Sequence, residues 1–129
     1  MTTRRFLLGA LAAAPLLFGT GANAAEAVFT PAAFEAAQKA GKPILVHVTA
    51  PWCTVCAAQK PILAKLEAQP RFKDLQVFDV DFDSRKDVVK QFGATMQSTL
   101  ITYKGIKETG RSAGETKPEA IASLLDKAI

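Results

Sequence analysis

Hydrophobic and polar positions along this chain fall into blocks whose period changes, and the changes mark the elements. Ile44 to Ala50 is a charge-free run rich in β-branched residues, opened by Pro43, and reads as a buried strand. From Leu75 to Phe82 the period is two: Phe78, Val80 and Phe82 share one side, while Val77, Asp79 and Asp81 share the other. Thr99 to Tyr103 is a third strand, and Lys104-Gly105 turns the chain into a fourth over Ile106 to Arg111.

Helical spacing fills the intervals. Thr30-Pro31 reads as an N-cap followed by proline in the first turn, with Gly41 as the stop and Phe34 among alanines between them. Cys53 to Gln69 is a second helix with Leu63 and Leu66 on its inner face, and Pro61 inside it predicts a kink. Ser84, with Asp87 three residues on, starts a third that Gly93 ends. Thr116 and Glu119 form the pattern of a capping box for a last helix, whose apolar positions are Ile121, Leu124 and Leu125. The order predicts an α/β fold of three layers, a mixed central sheet of about four strands flanked by helices. It is parallel where helices cross over and antiparallel at the terminal hairpin.

The first residues follow a different pattern. Arg4-Arg5 precedes a charge-free apolar run from Phe6 to Phe18, and a small-residue stretch then ends in Ala22-Asn23-Ala24. A basic start, a short apolar core and an A-x-A site describe a secretory signal peptide over residues 1–24, leaving 25–129 as the folded domain. The run is shorter than the roughly 20 apolar residues of a bilayer span. Thr3-Arg4-Arg5-Phe6-Leu7-Leu8 resembles the bacterial twin-arginine export signal, although the general route also accepts paired arginines. The expected location is the periplasm.

At 129 residues the chain has room for one domain. Loss of Arg4 and Arg5 with the signal lowers the formal net charge from +4 to +2. The remaining Lys and Arg are scattered without interleaved aromatics, so nucleic acid is not an expected partner.

The candidate chemistry lies in Trp52-Cys53-Thr54-Val55-Cys56, which holds both cysteines of the chain. A strand delivers them to a helix N-terminus, where the helix dipole and free N–H groups stabilise a thiolate. Closing so short a loop removes little chain entropy, which makes the pair a poor staple and a good switch. A zinc or iron–sulfur centre within one chain lacks ligands, because only His47 is nearby.

These residues together resemble the thioredoxin superfamily over Phe29 to Ala128. The likeness rests on Trp52-Cys53-x-x-Cys56 after an apolar strand, on Pro61 five residues beyond Cys56, on the element order, and on Thr99 to Gly105 as the strand and turn facing the active site. It implies a thioredoxin-like fold with Cys53 as the exposed nucleophile, Cys56 as the more buried resolving cysteine and Trp52 as a cover, which also serves as packing. No cofactor is implied.

Three departures from the family pattern bear on function. In Met96-Gln97-Ser98-Thr99, Ser98 stands where the family usually has a cis-proline. A non-proline cis bond costs about 2.5–4 kcal/mol, so trans geometry or local rearrangement is expected there. The loss alters the substrate groove around Trp52, Gln97 and Ser98 and leaves room for a hydroxyl near sulfur. His47 takes the place of the family's buried acid, and Asp79 that of the lysine facing it. Acid and base are then swapped: His47, oriented by Asp79, is placed to take the Cys56 proton. The competing reading is a buried neutral His47 bonded to backbone, with Asp79 solvated.

The expectation is an exported thiol–disulfide oxidoreductase. The candidate catalytic residues are Cys53, Cys56, His47 and Asp79. Thr54-Val55 adds no charge to hold a thiolate, which favours the reductase direction. Implied partners are a disulfide-bearing protein substrate and a membrane-embedded thiol donor, with the protein a monomer. Two alternatives stand beside it. One is copper(I), zinc or shared-cluster binding through Cys53 and Cys56, and the other is a non-catalytic thioredoxin-like binding module.

Overall fold

The computed structural model describes residues 24–129. The expected signal segment, apart from Ala24, lies outside the described residues. Five strands form a mixed sheet: β1 (Ala25–Val28), β2 (Pro43–Thr49), β3 (Gln76–Asp81), β4 (Thr99–Lys104) and β5 (Lys107–Ala113). Their spatial order is β1-β3-β2-β4-β5. β1, β3 and β2 run parallel, and β4 and β5 add antiparallel to β2 in turn. Sequence pattern missed β1, whose four residues form an exposed edge with no apolar alternation to betray it.

Four α-helices cover the sheet: α1 (Pro31–Lys39), α2 (Thr54–Glu67), α3 (Lys86–Gln91) and α4 (Pro118–Asp126). The period-two pattern of the strands sorts them to two faces. Val46 and Val48 of β2, with Phe78 and Val80 of β3, pack against Phe34 of α1 and Val88 and Val89 of α3. Phe29, Phe34, Phe78 and Phe92 meet there edge to face or tilted, with centroids 5.2–6.2 Å apart. On the opposite face Leu45, Val77 and Leu100 pack against Leu63 and Leu66 of α2 and Ile121, Leu124 and Leu125 of α4. His47 and Asp79 share the parity of Leu45 and Val77, so they point to the α2 side.

Two caps differ from expectation. Ser84 does not start α3, because its N–H and hydroxyl both bond Asp81 Oδ1 in a turn, and the helix begins at Lys86. Thr116 does not cap α4 either. Glu115 Oε1 accepts the N–H groups of Thr116 and Lys117, and Pro118 opens the helix. In both places an acid closer to the turn captured the free N–H groups first. α2 runs unbroken through Pro61, which leaves the Ala57 carbonyl without its helical donor.

Candidate active site

β2 ends at Thr49, and the next residues turn tightly, with the Cys53 N–H bonded to the Ala50 carbonyl at 3.1 Å. Cys53 is the N-cap of α2. Its backbone is extended, and its Sγ accepts the Cys56 N–H at 3.0 Å. A cysteine sulfur therefore occupies the place that a serine or aspartate oxygen takes in an ordinary cap. Cys53 and Cys56 are joined by a disulfide, with Cα atoms 5.3 Å apart. When the disulfide opens, a thiolate on Cys53 inherits both that N–H and the positive end of a 14-residue helix.

Cys56 is the deeper of the two, at 1% exposed against 4% for Cys53. Cys53 was expected to be exposed, and in the disulfide form it is not: both sulfurs are enclosed by Ala50, Val55 and Phe82. Trp52 is 58% exposed beside them, its indole N–H bonded to Asp83 Oδ2 at 2.6 Å. The ring thus stands as an anchored apolar face at the rim.

Ser98 enters from the start of β4. It is the one non-glycine residue with positive φ, 61°, among the described residues, and no cis peptide bond occurs among them. The rearrangement expected for a missing proline is therefore a left-handed backbone, which costs an L-residue about 1–2 kcal/mol. In return the Ser98 N–H bonds the Val48 carbonyl at 2.7 Å, a bond that proline cannot make. The Ser98 carbonyl accepts from the Gly114 N–H and from the Gln59 amide. Its hydroxyl donates to the Gln97 carbonyl, and among the described residues it makes no hydrogen bond to either sulfur. Gln97 itself is half-buried and Met96 exposed in the approach to this turn.

His47 and Asp79 are register partners on β2 and β3, and the sheet brings Nδ1 within 3.5 Å of Asp79 Oδ1. The predicted pairing is present. Nε2 lies 3.1 Å from Gln59 Oε1. Nε2 is therefore hydrogen-bonded while Nδ1 only faces the carboxylate, and among the described residues no hydrogen bond joins His47 to either sulfur. The bond of His47 to backbone that the competing reading required is also absent there. Gln59 is the residue that sequence reasoning missed. It is fully buried and donates to the carbonyls of Ser98 at 3.1 Å and Glu115 at 3.0 Å. Its signal was available, since Cys56, Gln59, Leu63 and Leu66 form the buried stripe of α2 and Gln59 alone among them carries an amide.

Beyond His47 the site opens into a cleft of about 200 Å³ lined by Glu26, Lys60, Glu67 and Asp79 among others. Three carboxyls share it, and their environments push them apart. Burial raises the Asp79 carboxyl, but hydrogen bonding to His47 and Glu26, with the charges of His47 and Lys60, holds it below the usual range. Glu26 is pushed up by hydrogen bonding to Asp79, by that group's charge and by burial. Glu67 rises to about 7, through burial first and then the charges of Glu26 and Asp79. Among the described residues no group of three or more His, Cys, Asp or Glu side chains could hold a metal ion.

Comparison with known proteins agrees with this geometry. The family model described as Thioredoxin matches residues 25–127. A thioredoxin of Alicyclobacillus acidocaldarius is 30% identical over 103 residues, covering 79% of this chain and 97% of its own. An H-type thioredoxin of Brassica campestris is 32% identical over 91 residues, covering 70% of this chain and 72% of its own. Among solved structures, Trxlp from Edwardsiella tarda superposes with a TM-score of 0.76 at 46% identity, over 79% of this chain and 98% of that one. With a disulfide-capable cysteine pair in that fold, the chain belongs to the thioredoxin family and is a thiol–disulfide oxidoreductase.

Proposed function

We propose that this oxidoreductase is an exported, specialised reductase of protein disulfides. The Cys53 thiolate attacks one sulfur of a substrate disulfide, forms a mixed disulfide and releases the first substrate thiolate. Cys56 then loses its proton and attacks Cys53 Sγ, which releases the second substrate thiolate and leaves the Cys53–Cys56 disulfide. Two electrons pass from the dithiol to the substrate. The observation that carries this reading is the bond from the Cys56 N–H to Cys53 Sγ, which aims the head of α2 at the nucleophilic sulfur.

His47 and Asp79 act one step removed. In the disulfide form there is no thiol proton to move, and the pair serves once the disulfide opens and Cys56 must deprotonate. The enclosed sulfurs and the left-handed Ser98 turn support a narrow set of partners. The basic and apolar leader supports export to the periplasm, where a reductase draws electrons from a membrane thiol donor. The protein acts as a monomer. The alternative of copper(I), zinc or a shared cluster would use the two thiolates of the opened Cys53–Cys56 pair, and His47, with Nε2 against Gln59 and Nδ1 facing Asp79, adds no free donor to them.

A Cys56→Ser variant expressed with its leader tests the reading. It is expected to accumulate mixed disulfides with a few periplasmic proteins at Cys53, and processing after Ala24 is expected by N-terminal sequencing. A full-length product retained in the cytoplasm, or no adduct at Cys53, contradicts it.

A further inference from the structure

Gln59 fixes more than packing. Its side-chain amide has one acceptor and two donors, and which end faces His47 is decided by what the other end faces. At that other end are two carbonyl oxygens, of Ser98 and Glu115, at 3.1 and 3.0 Å. Carbonyls only accept, so the amide nitrogen must lie there, and reversing the amide would set its oxygen against both. The oxygen is therefore committed to His47 Nε2 at 3.1 Å, and since that oxygen only accepts, Nε2 must carry a proton.

The other ring nitrogen is then the one left to gain or lose a proton. Nδ1 faces Asp79 Oδ1 at 3.5 Å, longer than a direct charge-assisted bond, and that oxygen is shut from solvent with no hydrogen-bond partner. A proton arriving on Nδ1 satisfies both groups, and one leaving sets a lone pair against a carboxylate. Asp79 in turn borders the cleft that Glu26, Glu67 and Lys60 share with solvent.

We infer that Gln59 is a positioning residue, whose amide keeps His47 protonated on Nε2 and makes Nδ1, against Asp79, the face through which the site exchanges its proton with the carboxyl-lined cleft. The inference rests on His47 and Asp79 being the proton pair of the thiol chemistry. Its test, however, reads the ring itself and not the reaction. The same amide ties α2 to the turns at Ser98 and Glu115, so the groove and the proton pair share one side chain.

His47 is the only histidine in the chain, which makes the measurement clean. Nitrogen-15 spectra of the uniformly labelled disulfide form, recorded across pH, distinguish which ring nitrogen is protonated. The expected result is a slowly exchanging Nε2–H at every pH where the fold persists, with titration confined to Nδ1. Gln59→Met keeps the length of the side chain and removes the acceptor, and is expected to lose that slow exchange and show a mixture of tautomers. Gln59→Glu keeps an acceptor toward Nε2 and sets its second oxygen against the Ser98 and Glu115 carbonyls, so it is expected to restore the Nε2–H signature where that oxygen carries a proton and can donate to them. A wild-type ring protonated on Nδ1 and bare on Nε2 overturns the inference. So does a Gln59→Met spectrum identical to wild type. Should Gln59→Met not fold, the wild-type spectrum still decides. A failure of thiol exchange with the expected spectra intact would instead count against the functional reading.

Discussion

Replacing Glu67 by glutamine should stabilise the protein, by an amount that is absent in acid, grows above about pH 4.5 and is complete just above about pH 7. Glu67 is the last residue of α2, half-buried against Glu26 and Asp79, and its carboxyl titrates at about 7 instead of the ordinary 4.5. Because the folded state holds this proton more tightly than the unfolded chain, the group's contribution is intact below about pH 4.5, declines as pH rises toward 7, and is flat beyond. Each pKa unit corresponds to about 1.4 kcal/mol, so the full shift sets a ceiling of roughly 3.4 kcal/mol. With about half of the group in contact with water, solvent screening reduces this to about 1–2 kcal/mol. Glutamine keeps the shape and carries no charge, and it also removes a negative group from the unfavourable end of the helix. Urea denaturation of the disulfide forms should give Glu67→Gln an advantage near zero at about pH 4 that grows to about 1–2 kcal/mol by about pH 8. An advantage independent of pH, or a wild type that gains on the variant between about pH 5 and 8, would overturn this assignment.

Other substitutions probe the fold around the site. Gly110→Ala places a Cβ 2.8 Å from Leu124 Cδ1 and 3.3 Å from Thr102 Oγ1, where β5 passes under α4. A loss of about 1–3 kcal/mol is expected in the denaturation midpoint. Ser98→Pro restores the residue usual in the family, yet it removes the N–H bonded to Val48 and demands a negative φ where the chain has 61°. It should lower the stability of the disulfide form by about 2–4 kcal/mol, read by the same assay. Cys53→Ser should abolish reduction of a protein disulfide, because the attacking sulfur is gone, and a turbidity assay reads this directly.

The parts legible in the sequence were those set by local periodicity. The buried run through β2, the alternation of β3 and the Cys53-x-x-Cys56 pair at a helix start each depend on near neighbours. The His47–Asp79 pairing was legible because equal parity on adjoining strands forces both side chains to one face. What stayed hidden depended on long-range hydrogen bonds. Gln59 gains its meaning from carbonyls 39 and 56 residues away. The Ser98 backbone is decided by the Val48 carbonyl and the Gln59 amide, neither of which local preference reveals. β1 has no internal signal, since its partner supplies the pairing. The carboxyl cleft draws Glu26, Glu67 and Asp79 from three separate elements, so none of them looked unusual alone.

At the heart of the proposed mechanism, the buried His47–Asp79 pair serves the proton of Cys56 during disulfide exchange. The rate at which the second substrate thiol is released in a single turnover, measured across pH for wild type and Asp79→Asn, probes that role without intermediaries. A positioned proton acceptor contributes of order 10²–10⁴-fold, and weakening the orienting partner should remove part of that. The variant is expected to be slower by about tenfold or more at about pH 7, with the gap closing toward about pH 9 as Cys56 ionises unaided. Equal rates for the two proteins across the whole range would show that the pair takes no part in the proton transfer.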